Sequence, residues 1–232
     1  MDAFVLGVVS SLLATALTVA GGWLFSMRSR QWPVALLSRL TGLGVRRVFA
    51  RQHLASSELA VELARARWVR VLAGRGNELT RDGFAAVWEA AGRRLEFVQV
   101  LLPDADLGPG SWLSMREEEM RRVDLGFSSG LLAEQVRVNA AYVNEVARHR
   151  HAVSLRFYDL PNMHRVIITD KVAYLTIYRQ TQHGRNSPCM VARRPGLMYD
   201  YALLLFNTAW DHSRPTGGPV NPGSGDLPPS QG

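Results

Sequence analysis

The alternation of apolar and polar positions divides the chain into four stretches. Residues 3–27 read AFVLGVVSSLLATALTVAGGWLFSM and carry no charged side chain. About 20 apolar residues are enough for a helix to cross a bilayer core, so a transmembrane anchor is expected over 1–27. Only Met1 and Asp2 precede it, so the basic n-region of a cleaved signal peptide is missing. Residues 28–56 read as a basic juxtamembrane connector, in which Val34, Leu37, Leu40, Val45, Val48 and Phe49 give an amphipathic surface interrupted by Gly42 and Gly44. Residues 57–213 carry mixed helical and strand periods, as a folded domain does. Residues 214–232 are rich in Pro, Gly and Ser and are expected to be disordered.

Within the domain the periods predict an order. A helical pattern opens at Ser57 and runs towards Arg67, and Trp68 to Ala73 form a short apolar strand closed by Gly74-Arg75-Gly76. Thr80 is placed to cap a helix with Phe84, Val87, Trp88 and Ala91 at three- and four-residue spacing. Phe97 to Leu102 form a second strand stopped by Pro103. Ser114 and Glu117 have the spacing of a capping box, and a longer helix is expected near Leu131 to Arg148. Ser154 to Tyr158 read as a strand, and Val166–Thr169 with Val172–Tyr178 as a hairpin turned by Asp170-Lys171. Cys189 to Ala192 are a further strand, and Tyr199 to Trp210 a closing apolar helix. The expected fold class is α/β, a mixed sheet flanked by helices and preceded by one transmembrane helix.

Charge adds an orientation. Lys and Arg number 27 against 20 Asp and Glu, and Lys171 is the only lysine. Arg28, Arg30, Arg39, Arg46, Arg47 and Arg51 fall between Met27 and Ser57 with no acid among them. Such a flank stays on the cytoplasmic side, which implies a single-pass cell-membrane protein with its N-terminus outside, its domain in the cytoplasm and membrane lipid as a partner. A hydrophobic share of 47% excludes both a disordered chain and a polytopic transporter. The single cysteine, Cys189, excludes an internal disulfide and a thiolate zinc cluster. His149 and His151 are flanked by arginines and make a poor cation site. No metal and no cofactor are expected.

The stretch 156–210, RFYDLPNMHRVIITDKVAYLTIY…FNTAW, resembles the second part of phospholipase D-like domains, above all their degenerate single-copy bacterial members. WVRVLAGRG and FVQVLLPDAD fit the first two strands of that family. Active members carry His-x-Lys and, four residues later, Asp. The resemblance implies that the His is the nucleophile, that the Lys holds phosphate oxygens, and that a second copy's His protonates the leaving group. Asp170 fits the Asp and Arg165 stands where the Lys belongs. That register puts Met163 at the nucleophile position and His164 one residue out of it. A one-residue step on a strand reverses the face, and only a bulge between His164 and Arg165 would restore it. Thr176-Ile177-Tyr178 also replaces the family's small Gly-Ser segment.

The candidate catalytic residues are therefore His164 and Asp170, and the candidate ligand-binding residues are Arg165, Arg179, His183 and Arg185. Arginine suits phosphate oxygens because its guanidinium presents two parallel donors. Gly74-Arg75-Gly76-Asn77, after a strand, has the makings of a phosphate nest. Three functions follow from these residues. The first is a module that binds an anion such as a nucleotide, a nucleic acid or a lipid headgroup without catalysis. The second is a homodimeric phosphodiesterase or nuclease working through His164. The third is a scaffold whose cleft is filled by Met163, Tyr174 and Tyr178. Arg165 and Asp170 also admit a purely structural role, paired with each other or with neighbours.

Overall fold

A computed structural model describes residues 14, 15, 18, 31–89, 95–124, 126–150, 152–161, 164–178 and 184–216. The helices are α1 (Gln31–Leu40), α2 (Ser56–Arg65), α3 (Asp82–Trp88), α4 (Trp112–Val123), α5 (Leu131–His149) and α6 (Leu197–Asp211). The strands are β1 (Val45–Phe49), β2 (Trp68–Leu72), β3 (Phe97–Pro103), β4 (Val153–Tyr158), β5 (His164–Thr169), β6 (Val172–Ile177), β7 (Cys189–Arg193) and β8 (Arg214–Pro215). They form one eight-stranded sheet in the order β1-β7-β6-β5-β2-β3-β4-β8. β2, β3 and β4 run parallel, and every other neighbouring pair is antiparallel.

The strand sequences explain the layers. Side chains alternate between the faces of a strand, and the central strands are apolar on both. On one face Val69, Val71, Val98, Val100, Ile167 and Val191 pack against residues of α2 to α5, among them Leu63, Phe84, Val136 and Val143. On the other face Leu101, Val166, Ile168, Ala173 and Leu175 meet α6 through Tyr199, Ala202 and Phe206. The sheet is thus covered on both sides, which allows continuous apolar runs such as VIIT and VAYL.

The mixed sheet and its helices match the α/β expectation, and the hairpin turns at Asp170-Lys171 as its sequence implied. The membrane expectation is corrected. Among the described residues no helix is long and apolar enough to cross a membrane. The apolar α6 has 15 residues, which span about 22 Å at 1.5 Å per residue, short of the roughly 30 Å hydrocarbon core. The longer α5 has 19 residues but carries Glu134, Arg137, Glu145 and Arg148. Of the stretch 3–27 only Ala14, Thr15 and Thr18 are described, and the rest lies outside the described residues. The structure is an α/β domain without a membrane-spanning helix among its described residues, and the single-pass topology, cell-membrane localisation and lipid partner are withdrawn with the anchor.

Smaller differences have local causes. Part of the stretch read as a connector folds into α1 and the edge strand β1, whose Val48 and Phe49 pair with Met190 and Cys189. Helix α4 begins earlier than its capping-box spacing implies. Ser111 is its N-cap, accepting a hydrogen bond from the Ser114 amide at 3.3 Å. Glu117 instead accepts from the Gly130 and Leu132 amides at 2.5 and 2.9 Å, tying α4 to the start of α5. Arg214, at the head of the expected tail, pairs with Phe157 in the sheet. Residues 217–232 lie outside the described residues.

Candidate anion-binding site

The parallel strands β2, β3 and β4 end at the same side of the sheet. Because β5 is antiparallel to β2 and β6 to β5, the start of β5 and the end of β6 reach that side too. An open α/β sheet leaves a crevice there. A cleft of about 310 Å³ occupies it, walled by the loop after β2, the first residue turns of α4, Arg165 of β5, Tyr178 just past β6, and Gly184-Arg185.

The loop Gly74-Arg75-Gly76-Asn77 is built for close approach. Gly76 has φ +84°, and a Cβ there would come 2.8 Å from Leu102 Cδ2; a side chain fits neither the conformation nor the space. Asn139 of α5 donates through Nδ2 to the Arg75 carbonyl oxygen at 2.9 Å and to Asn77 Oδ1 at 2.8 Å. The Arg75 guanidinium lies 5.8 Å from the Phe127 ring centroid. Burial draws its pKa down from the ordinary value, and the nearby Arg116 charge works the same way against Tyr178 and Glu78. A guanidinium with a lowered pKa in a cation-rich cleft gains from an anion beside it.

Arg165 is the fixed point. It is 4% exposed, donates to Glu78 Oε1 and donates to Thr176 Oγ1 at 3.2 Å. Burial opposes its charge, but Glu78 and Tyr178 outweigh burial and raise its pKa. Tyr178 has its own pKa raised by burial, and its hydroxyl accepts from the Gly74 amide at 3.4 Å. Arg116 of α4 donates to Glu119 at 2.7 Å. The start of α4 is fastened where Asp159 Oδ1 accepts from the Trp112 amide at 2.7 Å. Among the described residues the lining holds five arginines (Arg75, Arg81, Arg116, Arg165 and Arg185) against one carboxylate, Glu78.

Two of the sequence candidates, Arg165 and Arg185, are brought together in this cleft. Arg179, His183 and Met163 lie outside the described residues. His164 and Asp170 are not brought to it. The ladder runs His164↔Ile177, Arg165↔Thr176, Val166↔Leu175 without a bulge, so His164 faces the α6 side while Arg165 faces the cleft. Burial lowers the His164 pKa. Asp170 sits at the far end of β5, where it accepts from the Arg67 amide at 2.8 Å. Of the two structural roles expected for Arg165 and Asp170, pairing with each other or with neighbours, the structure shows the second: Arg165 pairs with Glu78 and Asp170 with the Arg67 amide. Tyr174 is buried in the core and Tyr178 forms a wall, so neither closes the cleft.

Sequence reasoning missed Glu78, Arg81, Trp112 and Arg116. A signal existed for α4, where Trp112, Arg116 and Met120 recur at four-residue spacing and all line the cleft. An arginine inside an otherwise apolar helical stripe marks a polar site against that face. Among the described residues no three of His, Cys, Asp and Glu gather as a metal site would require.

No protein-family profile and no curated protein matches the sequence. Among solved structures, TrmBL2, an archaeal chromatin protein described as binding DNA, is similar at 15% identity over 90% of this chain and 70% of its own, with a TM-score of 0.44. NucT from Helicobacter pylori, a phospholipase D-family nuclease, is similar at 13% identity over 73% of this chain and 97% of its own, with a TM-score of 0.43. Both are distant likenesses, too low in score to assign a fold family. What the cleft does has to follow from its own residues.

Proposed function

We propose that the cleft binds a small phosphate-bearing anion and that the domain acts as a binding module. The observation that carries this reading is a lining of five arginines against one carboxylate, four of the arginines standing around a buried, fixed Arg165. The Arg165–Glu78 pair holds one guanidinium in place, and Arg75, Arg81, Arg116 and Arg185 supply further positive charge from three separate elements. Guanidinium groups converging from different elements suit the several oxygens of a phosphate. The glycine loop lets that ligand approach the backbone closely.

Binding is favoured over covalent chemistry by the groups that line the site. Among the described lining residues, those able to attack phosphorus are Glu78, engaged by Arg165, and Tyr178, whose raised pKa keeps it protonated. A nucleophile must be activated by a base or a lowered pKa, and neither group meets that requirement.

The test is calorimetric titration of the full chain with ribose 5-phosphate and with ribose. Ribose 5-phosphate should bind and ribose should not. Arg116→Ala and Arg75→Ala should each weaken binding about tenfold to a hundredfold, the effect of removing a charged hydrogen bond worth roughly 1.5–3 kcal/mol. Equal binding of the two sugars, or binding indifferent to both variants, would overturn the reading.

A further inference from the structure

A second cavity of about 420 Å³ adjoins the cleft and shares Glu78, Arg81 and Arg185 with it. Its other walls are Gln52, His53 and Ser56, and its floor includes Leu59 and Phe84. The two cavities differ in chemistry. The first is ringed by arginine, whereas beyond the shared residues the second presents an apolar floor and the hydrogen-bonding groups of Gln52, His53, Ser56 and Asn186.

Gln52 is the informative side chain. It is 4% exposed, it lines the cavity, and its backbone amide is spent on the Ser187 carbonyl oxygen at 2.9 Å. Its side-chain amide has no hydrogen-bond partner among the described residues. Neither of its polar atoms is among the buried unpartnered side-chain atoms of the described residues, so the amide is reached from the cavity it lines. Here the amide borders open space, so a ligand can supply the missing bonds. The wall around it is held by His53, whose Nδ1 lies 3.2 Å from the Arg185 carbonyl oxygen. That contact couples the second cavity to an arginine of the first.

We infer that the ligand is a nucleoside phosphate, with its phosphate in the arginine cleft and its base in the second cavity against Gln52. A primary amide offers an adjacent donor and acceptor, the pattern that glutamine uses to read the edge of a base. Leu59 and Phe84 supply the apolar floor on which a flat ring rests. Arg81 and Arg185, common to both cavities, stand between phosphate and base. This assignment rests on the reading of the neighbouring cleft as a phosphate site and adds to it the part of the ligand that the cleft does not hold.

The experiment compares ribose 5-phosphate with the four common ribonucleoside 5′-monophosphates on the full chain. At least one nucleotide should bind ten times more tightly than ribose 5-phosphate or better. Gln52→Leu should remove that gain while leaving ribose 5-phosphate affinity unchanged, which also shows that the variant is folded. Should Gln52→Leu lose ribose 5-phosphate too, Ser56→Tyr, an exposed change that narrows only the second cavity, decides by the same ratio. If ribose 5-phosphate binds and no nucleotide binds better, the base site is wrong and the phosphate site stands. If neither binds, both are wrong.

Discussion

Glu78→Gln isolates the electrostatics on which the cleft depends. The Arg165 side chain is 5% exposed and the Glu78 side chain 25% exposed, and they form an ion pair. Thr176 Oγ1 is the other hydrogen-bond partner of the guanidinium. Substituting glutamine keeps the size of residue 78 and deletes the charge that offsets Arg165. Breaking a buried pair by removing one partner costs about 3–5 kcal/mol. Glu78 is partly wetted, so about 3 kcal/mol is expected, or roughly 6–12 °C in Tm for a domain of this size. Chemical unfolding followed by tryptophan fluorescence measures the difference. The double variant Glu78→Leu, Arg165→Met removes both charges and should be more stable than Glu78→Gln, because no charge is then left buried alone. A phosphate ligand should also recover part of the loss in Glu78→Gln, since it restores a negative charge beside Arg165 and stabilises by mass action. A Glu78→Gln protein within about 1 kcal/mol of the parent would show that Arg165 is better solvated than its burial implies.

Gly76→Ala should destabilise the domain by at least about 1–2 kcal/mol from the left-handed backbone alone, with the contact to Leu102 adding to it. It should also weaken ribose 5-phosphate binding, because Arg75 and Asn77 flank the strained position; unfolding and titration of the same variant check both. His164 gives a pH dependence. Its folded pKa is lowered by burial from an unfolded value near about 6.5, so the unfolded chain takes up the proton first as pH falls. Stability should be intact above that value and decline as pH drops below it towards the folded pKa, and His164→Asn should flatten this part of the profile.

The elements that local pattern specifies were legible. β2, β3 and the β5–β6 hairpin are apolar runs bounded by glycine, proline or the Asp170-Lys171 turn, and the structure places them where those signals stand. What local pattern does not carry is which partner a charge finds. Arg165 and Asp170 are five residues apart and invite pairing on paper. As members of one strand and its turn they sit at opposite ends of it, and Arg165 meets Glu78 from a loop 87 residues earlier. Asp170 meets the backbone of Arg67, 103 residues away. The edge strand β1 escaped for a related reason. Its Arg46 and Arg47 obscure the strand pattern, yet they are held by Glu58 and Glu62 of α2. The 3–27 stretch, where apolar length and flanking charge imply a span, lies outside the described residues apart from Ala14, Thr15 and Thr18, and no described helix is long and apolar enough to cross a membrane.

Strand parity settles the chemistry at the head of β5. A regular ladder permits one of two neighbours to face the cleft, and here the neighbour is Arg165. Turning His164 into the cleft beside Arg165 would need a bulge between the two, and the ladder from His164 to Ile168 is regular. The imidazole and the fixed guanidinium are therefore alternatives on this backbone. Since Arg165 is buried with two partners and His164 lies against the α6 face, the strand is committed to holding a charge in the cleft. In the proposed binding reading, an anion in the cleft is what offsets the mutual repulsion of the other four arginines and Arg165.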